Sequence, residues 1–384
     1  MDEQALALLR WCESERDWLR QTIETLVRLE SPSTDKAAVD RCGAEVASCL
    51  RELGGQVEVL EQSDRGNHIR AAFPGGHRRV LLLGHFDTVW PLGQIERMPI
   101  KEEDGRLHGP GVFDMKSGLG IAMLAMRALR QFTHVRPPTV TMLWTTDEEI
   151  GSGTSRAILE HEARRNDAVL VLEPSLPGGA AKTRRKGCGD FELTVHGISA
   201  HAGIDPGKGA NAIHELALQI IRLAALQDLE LGISVNVGVI SGGTRPNVVP
   251  ERAHATIDVR VPTMADAARI DTAVRQLQPR LSGTRLEITG GFGRPPLERG
   301  EHVARLYRTA RAVAASLDFD LQEGGTGGGS DGNFTAALGV PTLDGLGPRG
   351  DGAHAVHEHV ELADLPWRAA FLAGLLVRLE PAAP

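Results

Sequence analysis

The sequence predicts an α/β chain in which a mixed, mainly parallel sheet lies between helices and a smaller α+β domain is inserted. Three observations carry that prediction. Residues 80–88 (VLLLGHFDT), 139–153 (TVTMLWTTDEEIGSG) and 168–174 (AVLVLEP) hold near-continuous apolar runs, the pattern of strands in a sheet covered on both faces. Each run stops on ionisable side chains: His85 and Asp87, then Glu148 and Glu149, then Glu173. Sheets of this kind hold ligands in the crevice beyond the carboxyl ends of their strands. From Gly189 the pattern changes, and GDFELTVHG alternates through Phe191, Leu193 and Val195, as a strand does when only one face of its sheet is covered.

Taken in order, residues 4–30 have helical spacing through Leu6, Leu9, Ile23, Leu26 and Val27 until Ser31-Pro32-Ser33 interrupts them. A second helix carries the stripe Val39, Cys42, Val46, Cys49, Leu50, Leu53 and ends at Gly54-Gly55. Strands follow at 57–60, 68–73 and 80–84, the last two separated by the turn Pro74-Gly75-Gly76. Helical stretches at 115–129 and 155–165 flank the 139–145 run. The alternating region reads as strand 189–197, helix 210–226, strands 233–240 and 253–261, helix 265–277 and strand 285–288, an order that points to a ferredoxin-like domain. Helical and apolar-strand patterns resume from His302 and close with a helix at 362–379. The expected division is therefore one domain in two parts, 1–184 and 293–384, around an insertion at 185–292.

With 384 residues, 41% hydrophobic and 24% charged, the chain has room for two ordinary globular domains. A net charge of -8 without a dense Lys/Arg run argues against nucleic acid or an anionic membrane as the main partner, leaving small-molecule or peptide substrates. Met1-Asp2-Glu3 does not open a secretion signal and no segment is long and apolar enough to span a bilayer, so a cytoplasmic location is expected. Cys12, Cys42, Cys49 and Cys188 form no C-x-x-C pair and are expected to be free thiols.

The acids carry the chemistry. Adjacent carboxylates such as Glu148 and Glu149 repel unless a cation sits between them or one keeps a proton; the plain alternative is a solvated acidic turn. His85 and Asp87, two apart at a strand end, can point the same way, and a carboxylate beside an imidazole fixes its tautomer. Asp114, in GPGVFDMKSG, either caps the helix that follows or bridges two cations through its two oxygens. The insertion has its own polar groups, Ser199 to Gly203 around His201, Gly242 to Asn247, and Arg260, each of which alone also fits a turn or a solvated position. Residues 324–332 (GGTGGGSDG) match both a nucleophile elbow at Ser330 and G-x-G-x-x-G, as any glycine-rich run does by chance, and read as a flexible or anion-cradling loop opening a helix near Asn333. Residues 352–359 (GAHAVHEH) offer His354, His357 and His359, any of which could complete a metal site.

Taken as an ordered set, GHFDTV, GPGVFDMKSG, TTDEEIGSG, LEPS, SAHAG, GGTRPNVVP, DVR, GGGSD and GAHAVHEHV resemble the co-catalytic zinc peptidase superfamily of glutamate carboxypeptidases, aminoacylases, acetylornithine deacetylase and succinyl-diaminopimelate desuccinylase. HFDTVWPLG and KGCGDFELTVHGISAHAG are most similar to the folate-hydrolysing glutamate carboxypeptidase branch. The resemblance implies a zinc-peptidase-like catalytic domain with an inserted lid and dimerisation domain, and two Zn2+ per chain, replaceable by Co2+ or Mn2+. It implies that His85 and Glu173 bind one ion, Glu149 and His354 the other, and that Asp114 bridges them. Mixed imidazole and carboxylate ligands suit zinc, and two such ions hold a hydroxide and polarise an amide carbonyl. Glu148 is then the general base, Asp87 orients His85, His201 and Asn247 stabilise the oxyanion or bind substrate, and Arg260 grips a substrate carboxylate, with Arg294 a second candidate. The implied activity is hydrolysis of an amide bond releasing a C-terminal amino acid, such as glutamate, from a peptide or N-acyl conjugate. The resemblance also implies a homodimer in which His201 serves the partner's site. An N-acyl amino acid deacylase shares this mechanism; a serine hydrolase using Ser330 and a non-catalytic metal-binding protein are the readings from other classes.

Overall fold

The computed structural model describes residues 3–132 and 137–379 and divides into two compact units, Met1–Arg184 with Glu298–Thr326 and Ser330–Pro384, and Arg185–Leu297 with Gly327–Gly329. The first unit is built on a six-stranded sheet ordered Gln56–Leu60, His68–Phe73, Thr139–Thr145, Arg79–His85, Ala168–Val171, Thr342–Leu343. The last four strands run parallel and the first two are antiparallel additions, so the sheet is mixed. Its central strands explain the unbroken apolar runs. Val80 and Leu82 enter the larger core with Ile23, Leu26, Val46, Leu124 and Leu372, whereas Leu81, Leu83, Leu143, Val169 and Val171 enter a second core with Leu159 and Phe334. Alternate residues of a strand point to opposite faces, and here both faces are covered by helices, so neither alternate can be polar.

The first predicted helix is two helices, Glu3–Ser14 and Arg16–Arg28, hinged at Glu15, whose φ, ψ of -95°, 12° leave the helical range. The third, Lys36–Glu52, starts where Asp35 accepts a hydrogen bond from the Ala38 N–H, the usual service of an N-cap carboxylate. The long apolar helix begins at Ser117, later than its pattern, because the chain from Val112 to Lys116 forms an irregular turn containing the cis Asp114–Met115 peptide.

In the second unit the strands Gly187–His196, Ser234–Gly242, Arg252–Val261 and Arg285–Arg294, with helices Ala212–Ala224 and Met264–Arg275, form an antiparallel sheet in the order second, third, first, fourth. Both helices lie on the face carrying Phe191, Leu193, Val195, Ala255, Ile257 and Val259. The final strand runs six residues beyond its predicted end: Gly290 and Gly291 break the hydrophobic alternation but not the ladder, and pairing with the first strand continues to Arg294 opposite Cys188. Among the described residues no helix is long and apolar enough to cross a membrane.

Candidate metal centre

In the first unit, three adjacent parallel strands deliver their carboxyl ends to one place, and His85, Asp114, Glu148, Glu149, Glu173 and His354 meet there. The donor atoms of His85, Glu148 and Glu173 lie within 4.8 Å of one another, as do those of His85, Asp114 and Glu149. His85 is the pivot. Its Nδ1 lies 3.1 Å from the Asp87 carbonyl oxygen and 3.3 Å from Asp87 Oδ1, which assigns the proton to Nδ1 and turns the Nε2 lone pair toward Asp114 Oδ1 at 3.3 Å and Glu173 Oε1 at 3.5 Å. Asp87 is itself fixed, its Oδ2 accepting from Ser33 Oγ at 2.7 Å and from the Glu149 N–H at 3.3 Å. On the other side His354 Nε2 lies 3.1 Å from Glu149 Oε2 and 3.5 Å from Asp114 Oδ2.

The loops are shaped for this convergence. Asp114 does not cap the following helix, whose N-cap is Lys116; its carboxylate faces the two histidines instead. Gly111 supplies the left-handed turn ahead of it (φ 73°), where a Cβ would lie 2.6 Å from Thr88 Cγ2. Asp147 is buried and accepts from the Thr154 N–H, Thr154 Oγ1 and the Ser155 N–H, folding the turn that presents Glu148 and Glu149. His354 adopts φ 61°, a region non-glycine residues occupy at a cost that the surrounding turn must offset, and such residues cluster at functional sites. His357 is exposed, and His359 stacks on His108 with ring centroids 5.2 Å apart, so His354 is the histidine of this loop that faces the acids.

The electrostatics call for a cation. Burial raises the Glu149 carboxyl, whereas for Asp114 the contacts with His354 and His85 overcome burial and hold it well below the usual range. The Asp114 and Glu149 carboxylates push His354 up to about 10, and burial of His85 is outweighed by the carboxylates of Asp114, Asp87 and Glu173, which raise it well above its ordinary value. Both imidazoles thus sit where positive charge is favoured. His85 Nε2 and Asp114 Oδ1 are both buried without a hydrogen-bond partner, 3.3 Å apart and facing the same space. Unpaired buried donor atoms on an imidazole and a carboxylate, with three further carboxylates around them, fit divalent metal ions.

The second unit brings other candidates together. His201 and Val248 form a bridge, and the Ala202 N–H donates to the Asn247 carbonyl, so His201 and Asn247 share one exposed corner. His201 Nδ1 accepts from the Gly203 and Ile204 N–H groups at 3.1 Å each, which leaves its outward Nε2 as a donor. Arg260, Cys188 and Arg294 are direct cross-strand neighbours on three adjacent strands, on the face opposite the helices. Arg260 does not present an open fork: its Nε and Nη2 edge is spent on Asp258, and Nη1 reaches Cys188 Sγ.

Ser330 is buried, donating to Asp344 Oδ2 at 2.6 Å and accepting from the Gly332 N–H, which is the work of a structural hydroxyl rather than a nucleophile. The anion-cradle reading of this loop gives way to the same fact, since Asp331 and Asn333 already fill the start of the short Gly332–Ala337 helix, Asn333 Oδ1 accepting from the Ser330 N–H. Sequence reasoning missed Glu358 as a site residue. An acid between two histidines looks like surface loop, yet it is buried against the Asp114 turn; the signal available was its place in GAHAVHEHV, a stretch that carries the resemblance but in which only His354 was given a role.

The profile of Peptidase family M20/M25/M40 matches residues 81–378. Carboxypeptidase G2 of Pseudomonas sp. (strain RS-16) is 29% identical over 370 residues, covering 94% of this chain and 88% of the relative. Succinyl-diaminopimelate desuccinylase of Paracidovorax citrulli (strain AAC00-1) is 30% identical over 357 residues, covering 84% and 90%. Among solved structures, aminopeptidase PepT of Bacillus cereus ATCC 10987 superposes with a TM-score of 0.80 at 21% identity, covering 94% of this chain and 98% of that one, a likeness of fold.

Proposed function

The chain belongs to peptidase family M20/M25/M40 and is therefore a metal-dependent hydrolase, and from that premise we propose that it cleaves an amide bond to release a C-terminal amino acid, such as glutamate, from a peptide or N-acyl conjugate. The observation that carries the reading is the convergence of His85, Asp114, Glu149, Glu173 and His354 around two unpaired donor atoms. By their names, one relative is a carboxypeptidase and the other removes a succinyl group from succinyl-diaminopimelate, which supports amide hydrolysis next to an amino acid.

On this reading His85 and Glu173 would hold one zinc ion, Glu149 and His354 the other, and Asp114 would serve both. Bound there, two such ions polarise a scissile carbonyl and lower the pKa of water. The chain's own groups do the rest. Glu148 takes the proton of the attacking water and returns it to the leaving amine. Asp87 keeps His85 in the Nδ1–H tautomer, so its Nε2 remains a ligand. His201, with its outward Nε2 donor, and Asn247 stabilise the developing oxyanion. Because Arg260 is engaged with Asp258, recognition of a substrate carboxylate falls to its remaining edge together with Arg294.

Association as a homodimer through the inserted unit is part of the proposal. The strand Ser234–Gly242 is an edge strand, and Val239 and Ile240 on it are 59% and 63% exposed, as Ile221 on the neighbouring helix is at 68%. An exposed edge with apolar side chains is a surface for two-fold pairing.

The test is a screen of N-acyl amino acids, dipeptides and folates against zinc- and cobalt-loaded protein, following release of free amino acid. Turnover confined to substrates with a free carboxylate beside the scissile amide supports the reading, and bound metal without turnover on any of them refutes it. An N-acyl amino acid deacylase would appear in the same screen as preference for small acyl groups over peptides.

A further inference from the structure

We infer that Glu358 is a positioning residue that sets Asp114 and His354 relative to each other, and so governs the half of the metal centre assigned to Glu149 and His354. The inference rests on the ligand assignment above. Glu358 is 1% exposed, and its carboxylate receives four N–H donors. Oε2 accepts from Trp90 Nε1 at 2.8 Å and the Gly111 N–H at 2.9 Å, while Oε1 accepts from the Phe113 N–H at 2.9 Å and the Asp114 N–H at 3.0 Å. Three of these donors lie in the turn that carries Asp114. The fourth belongs to a side chain three residues after Asp87, in the segment that carries His85. Glu358 itself closes the turn four residues after His354, its N–H donating to the Ala355 carbonyl, and the Ala355 N–H to Gly352. One carboxylate therefore ties together three segments that bear site residues.

Burying a carboxylate is costly unless its lone pairs are met, and here four N–H donors meet them; an apolar side chain of the same size would leave those donors buried without an acceptor. What an ionised carboxylate uniquely offers is two acceptor oxygens at fixed separation, each able to take two donors. A glutamine keeps the shape but turns an NH2 toward two N–H groups that need an acceptor. His85 and Glu173, by contrast, are placed by the sheet: the Glu173 carbonyl accepts from the Gly347 N–H, and His85 ends a central strand braced by Asp87. Loss of the Glu358 carboxylate should therefore loosen the ion assigned to Glu149 and His354 more than the one assigned to His85 and Glu173.

The experiment titrates metal-stripped full-length protein with Co2+, following heat and visible absorption, for wild type, Glu358→Gln, Trp90→Phe and, as a fold control, the core truncation Val46→Ala. Wild type takes up two ions. Glu358→Gln keeps the wild-type circular dichroism spectrum and weakens the second ion by about 10- to 100-fold, the range for partners of metal ligands, and the first markedly less. Trp90→Phe, which leaves three donors in place, weakens the same ion less, and Val46→Ala lowers Tm without moving either affinity. Two ions at wild-type affinity in Glu358→Gln, or equal weakening of both, would overturn the inference. If that variant does not fold, Trp90→Phe decides by the same criterion, an unchanged second ion counting against it. A wild-type protein that binds fewer than two ions would instead bring down the two-ion assignment, and the inference with it.

Discussion

The candidate metal centre of the first unit and the polar cluster of the second draw on overlapping residue types and hold them in opposite ways. His85, Asp87 and Glu173 are buried at strand ends, and His85 and Asp87 each have a second partner that fixes orientation. His201 and Asn247 are exposed on loops, and their order comes from backbone hydrogen bonds alone. On the proposed function the difference teaches a division of labour: groups assigned to a cation are placed by a rigid sheet, and groups assigned to substrate sit on exposed loops. Changes in the first unit should therefore act through metal content or proton transfer, and changes in the second through substrate or transition-state binding with the metal content unchanged.

Metal removal should have the largest effect. Exhaustive chelation should abolish turnover, and Asp114→Asn, which removes the negative charge of a carboxylate facing both His85 and His354 and turns one of its acceptor oxygens into an NH2, should lower metal content from near two ions per chain. Full activity after chelation, checked by elemental analysis, would break the comparison at its root.

Next in size is the contrast between adjacent acids. Glu148→Ala should keep both ions and lose at least about a hundredfold in kcat, the scale of a general acid-base group. Glu149→Ala, which removes the closest partner of His354 Nε2, should lose metal. The reverse pattern would exchange their roles.

How much of this was legible before the structure depended on periodicity. The strands around Val80, Thr139 and Ala168 were legible because burial on both faces forces every position to be apolar. His85, Glu148, Glu149 and Glu173 stood out because they end those runs, whereas Asp114 and His354 were singled out by the resemblance to the zinc peptidases. What could not be read was contact between segments distant in sequence: the Glu358 carboxylate on the Asp114 turn, Ser33 on Asp87, and the Arg260 fork closed on Asp258. Each is a pairing of polar groups, which leaves no hydrophobic period behind. The continuation of the last inserted strand through Gly290 and Gly291 was hidden for the same reason, since backbone pairing is silent in side-chain pattern.

For the second unit, His201→Ala should lower kcat by about 10²- to 10³-fold, as loss of one oxyanion donor does, without loss of metal. Mixing His201→Ala with Glu148→Ala chains under exchange conditions sharpens the point. Partial recovery places His201 in the partner's site, and no recovery in a proven heterodimer places it in its own or outside catalysis. Amidating the substrate carboxylate should cost kcat/KM about 10- to 100-fold, the worth of a hydrogen bond to a charged group; indifference would remove Arg260 and Arg294 from recognition.

The smallest effect on activity should come from Ser330→Ala, although Ser330 lies in the segment that most looks like a nucleophile motif. Its hydroxyl donates to the buried Asp344 carboxylate and receives the Gly332 N–H, so both of its hydrogen-bonding roles are already taken. Removing it leaves Asp344 short of a donor in a buried position, a loss of roughly 1–3 kcal/mol in stability. Turnover at a temperature well below the lowered Tm should stay within about threefold of wild type, because a rate change of that size needs less than 1 kcal/mol at the transition state. A fluorophosphonate should neither label the protein nor inhibit it. Labelling of Ser330, together with loss of turnover in Ser330→Ala that chelators do not reproduce, would move the chemistry from the acids of the sheet to the glycine-rich loop.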